Sequence, residues 1–199
     1  MERAGSSPDR GVGCRENPCA VAGSTIPGSS TSIPLAGRLN PSFMKLVSLL
    51  TERRVVPTLQ ATTHWEALAE LVDCLVTTGH LSDECRQHVL DDLHDRERQV
   101  STGIGHGVAI PHAYCEDLER PVAVFGRSTD GIEFEACDNA PVHFVVMLLV
   151  PQNQPHIHLQ TLASIAGLFS QCEVRKQVKG AATAEEILAV LGRCEAQAA

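Results

Sequence analysis

The sequence predicts an α/β domain, one sheet with helices on both faces, and three observations carry the prediction. Residues 142–150 are apolar at almost every position, the pattern of a central strand covered on both sides. Segments on either side of that strand repeat their apolar residues every 3.6 positions, as helices packed on a sheet do. Thr63 to Glu66 and Thr183 to Glu186 both place Glu three residues after Thr, the spacing of a capping box that opens a helix.

In chain order, residues 44–50 carry apolar positions at 46, 47, 49 and 50 and predict a short helix. Residues 55–59 include Pro57, which lacks a ladder donor, and predict an edge strand. The helix behind Thr63 uses Leu68, Leu71, Val72, Leu75 and Val76 and closes at Gly79. Ser82 is placed to cap a second helix with Val89, Leu90 and Leu93 on one face, running toward Asp95. Residues 108–110, 122–127 and 142–150 predict strands. A helix from about His158 puts Leu159, Leu162, Ala163, Ala166 and Phe169 on one face, and Thr183 opens the last helix with Ile187, Leu188 and Leu191. The order αβααβββα with a final αα is not a βαβ repeat.

The 199 residues fit one domain and a surplus. The surplus is residues 1–43, with seven Ser, six Gly and five Pro, too little apolar surface to offset the entropy of ordering; a disordered extension is expected there. Met44 opens a changed composition and is a candidate translation start. Residues 44–199 carry 12 Lys and Arg against 21 Asp and Glu, so the predicted domain holds −9 of a chain whose net charge is −8. That charge and a pI near 5.5 argue against nucleic-acid binding. The longest clean apolar run, residues 144–150, is too short to span a bilayer. With no basic segment leading an apolar one, no export signal is read, and a cytoplasmic location with its eight cysteines reduced is expected.

The chemistry is expected around residues 95–112. Gly103, Gly105 and Gly107 leave backbone N–H groups open to a ligand, Ser101 and Thr102 add hydroxyls, and Arg96 and Arg98 supply planar cations suited to phosphate. Pro111 stiffens the approach to His112. The loop lacks the lysine of a nucleotide-binding P-loop, and Val108 breaks the dinucleotide-binding glycine pattern. A second cluster, Pro155-His-Ile-His158, sits where a helix N-terminus favours an anion; His-x-His chelation by His156 and His158 with His112 is the rival reading. His106 in the glycine loop is expected to point to solvent, with a pH-sensitive neighbour of the site as the alternative reading. His143 is expected to be a satisfied strand residue, and His64, His80, His88 and His94 ordinary surface or capping positions. Cys115 stands in an acidic context that disfavours a thiolate, and no Gly-x-Ser-x-Gly is present.

Arg96-Glu-Arg98 followed by Ser101-Thr-Gly-Ile-Gly-x-Gly-Val-Ala-Ile-Pro-His112 resembles the phosphorylation-site signature of phosphotransferase-system enzyme IIA domains of the fructose–mannitol class. Pro141-Val-x-Phe-Val-Val-Met-Leu-Leu-Val-Pro151 and His158-Leu-Gln-x-Leu-Ala-x-Ile-Ala166 match the family's continuation, from about Met44 to the C-terminus. The resemblance implies a single domain with a mixed sheet between helices. It implies a phosphotransferase without metal or free cofactor, in which His112 accepts a phosphoryl group on Nε2 from an HPr-like phosphocarrier (NPr or HPr). Arg96 would neutralise the transferring oxygens, and His158 would bond or position the group. A stand-alone chain with Ser101-Thr-Gly-Ile-Gly105 is most similar to the nitrogen-regulatory branch, IIA(Ntr), whose partners are regulatory proteins; the alternative is a IIA subunit passing phosphate to a IIB component for sugar uptake. A binding module that kept the fold without turnover is the reading from another class.

Overall fold

The computed structural model describes residues 45–153 and 155–198; the extension at residues 1–43 and Met44 lie outside the described residues. Two 3-10 turns, Leu46–Leu49 and Glu52–Arg54, lead into strand β1, Val55–Val56. Helices α1, His64–Thr77, and α2, Asp83–Gln99, follow. Strands β2, Gly103–Gly105, β3, Val108–Ala109, β4, His112–Cys115, β5, Val122–Ile132, and β6, Val142–Pro151, complete the sheet. Helices α3, Pro155–Ser170, α4, Cys172–Gly180, and α5, Ala184–Ala198, close the chain.

The six-stranded sheet is mixed, as expected. It runs β1-β5-β6-β3-β2, with β4 also paired to β6. β1 is parallel to β5, β5 antiparallel to β6, and β3 and β4 both parallel to β6. β3 and β4 keep one register along β6: Val108 and Ala109 face Phe144 and Val145, and His112 to Cys115 face Leu148 to Pro151. They form one course of chain interrupted at Ile110-Pro111, where proline has no N–H to give the ladder.

The near-continuous apolar run of β6 reflects burial on both faces. Phe144, Val146, Leu148 and Val150 point into one core with residues of α3, α4 and α5; Val145, Met147 and Leu149 point into the other, under α1 and α2. Among the described residues the large rings of the first core are Phe125, Phe144 and Phe169, with Phe125 stacked on both others at 6.4 and 6.1 Å. Arg127 on β5, 7% exposed, is buried without a carboxylate partner among the described residues. Its guanidinium donates to the carbonyls of Pro57, Val178, Lys179 and Ala181 and so satisfies the C-terminal carbonyls of α4, where a cation is favoured.

Helix starts follow the sequence closely. Thr63 and Glu66 form the full capping box, and the Ser82 hydroxyl accepts from the Cys85 N–H. At α5 the box is altered: Thr183 accepts from Glu186, but the Glu186 carboxylate takes the Ala182 N–H. Three segments differ from expectation. The first segment is a 3-10 turn, capped by Glu195, which accepts from the N–H groups of Leu46 and Val47. The second helix runs to Gln99, so Arg96 and Arg98 stand on its last turn. α3 buries Ile165, Leu168 and Phe169, while Leu159 is 71% exposed.

This packing sets a contrast in stability. Phe125→Ala should cost about 3–5 kcal/mol in denaturant unfolding, as expected for a fully buried ring between two others. Leu159→Ala should change stability by less than about 0.5 kcal/mol.

Candidate functional site

His112 begins β4, where the chain leaves the Ile110-Pro111 interruption. Its Nδ1 lies 2.8 Å from the Ile110 carbonyl oxygen. A carbonyl only accepts, so Nδ1 carries the proton and donates it, and Nε2 is left with its lone pair. That lone pair faces Arg96, whose Nε–H donates to His112 Nε2 at 3.3 Å. Arg96 is anchored by its own helix end, with Nη1 donating to the Val100 carbonyl at 2.8 Å.

The third member is His158, the fourth residue of α3. It is 5% exposed, and its ring meets His112 edge-on, centroids 4.8 Å apart. Tyr114, two residues along β4, covers His158 from another side at 5.0 Å. His158 Nδ1 is buried without a hydrogen-bond partner among the described residues. The three residues line one cavity of about 570 Å³ with His88, Asp92, Ala113, Tyr114, Glu116 and Gln152.

Both imidazoles are held neutral. Burial pushes the His112 imidazole below its ordinary value, the Ile110 hydrogen bond pulls it up, Arg96 lowers it and Glu97 raises it. His158 is pushed down to about 4 by burial, by His112 and by Arg96. A neutral imidazole with a free nitrogen beside a guanidinium is a nucleophile with a charge partner ready for an anionic group.

The glycine-loop residues lie elsewhere. Ser101, Thr102, Gly103, Gly105, Gly107 and Arg98 do not line the cavity. Arg98 pairs with Asp95 and stands 5.6 Å over the Trp65 ring. The Ser101 hydroxyl donates to the Phe134 carbonyl. Gly105 and Gly107, at φ +88° and +74°, turn the chain between β2 and β3, and a side chain at Gly103 would strike Ala136. The conformational freedom read as an anion cradle serves a hairpin packed on residues 134–143. His106 lies in that turn, its N–H donated to Asp138. His143 Nδ1 lies 3.1 Å from the Ser128 carbonyl, the satisfied strand residue expected.

Glu97 is the residue that sequence reasoning missed. It is 6% exposed, and its carboxylate accepts from the Thr102 N–H at 2.9 Å and the Thr102 hydroxyl at 2.6 Å. The signal was the helical period: Val89, Leu90 and Leu93 lead to position 97, and the buried face of α2 does include it. Asp92 and His88, one and two turns before Arg96 on α2, were also missed as cavity residues. The Cys115 thiol is buried and raised, chiefly by that burial. The six described cysteines are free, and no three described His, Cys, Asp or Glu are grouped to hold a metal; the His156 side chain lies outside the described residues. No helix among the described residues is long and apolar enough to cross a membrane.

Comparison with known proteins identifies the family of the chain. The family described as "Phosphoenolpyruvate-dependent sugar phosphotransferase system, EIIA 2" matches residues 48–194. The PTS system fructose-specific EIIABC component of Bacillus subtilis is 33% identical over 150 residues, which are 75% of this chain and 23% of that relative. The nitrogen regulatory protein of Bradyrhizobium diazoefficiens is 32% identical over 156 residues, 78% of this chain and 100% of the relative. The crystal structure of nitrogen regulatory protein IIA-Ntr from Neisseria meningitidis superposes with a TM-score of 0.67 at 32% identity, covering 73% of this chain and 97% of that one. The chain therefore belongs to the EIIA 2 family of the phosphoenolpyruvate-dependent sugar phosphotransferase system, and it matches the Bradyrhizobium nitrogen regulatory protein and the Neisseria IIA-Ntr structure over 100% and 97% of their lengths.

Proposed function

We propose that residues 44–199 form a phosphocarrier domain in which His112 Nε2 accepts a phosphoryl group from the phosphohistidine of an HPr-like protein, and that the phosphorylated state serves nitrogen or carbon regulation. The observation that carries the reading is the Ile110–His112–Arg96 arrangement, which leaves one imidazole nitrogen unprotonated and faced by a guanidinium. In the transfer the Nε2 lone pair forms the new N–P bond as the donor's N–P bond breaks. The Arg96 N–H that rests on Nε2 passes to a phosphoryl oxygen, so the charge stays neutralised while the nitrogen is taken. His158, edge-on and 5% exposed, adds a second ring against the group and excludes water. The arrangement needs no metal or free cofactor, because the chemistry is positioning and charge stabilisation.

The regulatory branch is supported by the nitrogen regulatory protein of Bradyrhizobium, which the chain spans whole at 32% identity, and by the IIA-Ntr structure from Neisseria, 32% identical over 97% of its length. Its partners are then an NPr-like or HPr-like donor and regulatory protein targets. The sugar-uptake reading, with a IIB component as acceptor, is supported by the existence of a solved complex of E. coli IIAMtl with phosphorylated IIBMtl, whose IIA shares this fold.

Incubation with phosphoenolpyruvate, enzyme I and an HPr-like carrier should label the chain with acid-labile phosphate. His112→Ala should abolish the label; retention of it would contradict the reading. Arg96→Ala keeps the acceptor nitrogen and should slow transfer by about 10²–10³-fold, the usual effect of removing one charge-stabilising donor.

His158 gives a pH test. Its folded value of about 4 lies below its ordinary 6.5, so between these pH values the unfolded chain holds a proton that the folded chain does not. Stability therefore falls as pH drops from 6.5 toward 4. His158→Gln should flatten that part of the profile, measured as unfolding free energy in denaturant at several pH values. An unchanged slope would contradict the assigned neutrality of His158.

A further inference from the structure

The geometry points to Glu97 as a positioning residue for His112, acting through Thr102 and Ile110 to hold the imidazole in the tautomer that leaves Nε2 free. The inference rests on the reading of His112 as the phosphoryl acceptor.

Glu97 lies between two arginines, a sequence context that suggests a solvated charge run. Instead its side chain is buried, Arg98 turns to Asp95, and Arg96 turns to His112 and Val100. A buried carboxylate is costly unless its oxygens are satisfied, and here Thr102 satisfies both, one through its N–H and one through its hydroxyl. Thr102 is thereby clamped to the end of α2. Its carbonyl accepts the Ile110 N–H at 3.0 Å. On the far side of Ile110, Pro111 has a fixed φ, restricts Ile110 to extended backbone, and gives its own carbonyl to the Leu148 N–H at 2.9 Å. Ile110 is held from both directions, and its carbonyl is presented to His112 Nδ1–H.

The same helix turn carries Arg96. Adjacent residues of α2 thus set both sides of the imidazole: Arg96 faces Nε2 directly, and Glu97 governs Nδ1 through three hydrogen bonds in series. The negative charge of Glu97 also favours protonation of the His112 ring, working against burial. Charge and positioning can be separated, because a glutamine at 97 has an oxygen to accept the Thr102 N–H and an amide to donate to the Thr102 hydroxyl oxygen.

The test uses the full chain as Glu97→Ala, Glu97→Gln and Thr102→Val. Two readouts are taken: the nitrogen-15 shifts of the His112 ring in unphosphorylated protein at pH 7, and the rate of phosphoryl transfer from an HPr-like donor. Wild-type protein should show the single Nδ1–H tautomer. Glu97→Ala should show mixed tautomers and a maximal rate lowered about tenfold or more, as a displaced reacting group predicts, with the half-saturating donor concentration little changed. Glu97→Gln should keep the tautomer and stay within about threefold of the wild-type rate, the rescue expected of positioning rather than charge. Thr102→Val, which loses only the hydroxyl, should fall between them and carries the test if the alanine variant does not fold. A wild-type tautomer and rate in a folded Glu97→Ala protein, or in Thr102→Val where the alanine does not fold, would overturn the inference. So would a folded Glu97→Gln protein with mixed tautomers. If His112→Ala still takes phosphate, the acceptor reading fails while the tautomer result stands by itself.

Discussion

The constraint on which this site depends is the Ile110 carbonyl, which accepts the Nδ1 proton of His112. It selects one of two tautomers of a ring that would otherwise divide between them, and it turns the free nitrogen toward Arg96. Much of the surrounding structure can be understood as holding that carbonyl still. β3 and β4 share a register along β6, a strand buried at every position but His143, so the interruption at Ile110-Pro111 is pinned at both ends. The hairpin of β2 and β3 brings the Thr102 carbonyl beside Ile110. The glycines of that hairpin support the site from a distance, by letting the chain turn and pack on Ala136.

The sequence was most legible where local physics decides the structure. β6 has no polar side to show because both of its faces are buried, and the Thr63 capping box is complete within four residues. His112 and Arg96 were legible as chemistry because an imidazole and a guanidinium have few structural uses in such a setting. The glycine loop was harder. A glycine that turns a hairpin and one that admits a phosphate use the same freedom at φ, and only the partner segment, residues 134–143, separates them. β2 is three residues long and pairs with β3 across a tight turn, while the four residues of β4 pair with β6, far along the chain. Leu159 has the spacing of a core residue but stands exposed near the start of α3, where the packed face is carried by Ile165, Leu168 and Phe169. Glu97 was hidden by composition: between two arginines a carboxylate reads as surface, although the period of α2 puts it inside.

The charge distribution also takes on meaning at the site. The domain is acidic as a whole, yet the cavity floor holds a guanidinium and two imidazoles kept neutral by burial. Asp92 and Glu116 line the same cavity. On the proposed reading a neutral histidine pair next to one cation receives a phosphoryl group without first losing a proton, and the arriving negative charge favours protonation of His158, held down to about 4 by burial, His112 and Arg96. The acidic lining suits a donor with basic residues around its own phosphohistidine, which would give transfer a dependence on salt.

The central claim, that a backbone carbonyl chooses the reacting nitrogen, is tested most directly by locating phosphorus within the phosphorylated chain. Nitrogen-15 and phosphorus-31 spectra of phosphoprotein prepared through an HPr-like donor distinguish the two imidazole nitrogens by their coupling to phosphorus. The account predicts one phosphohistidine, His112, with phosphorus on Nε2 and the Nδ1 proton retained. Phosphorus on Nδ1 of His112, or on His158, would contradict it.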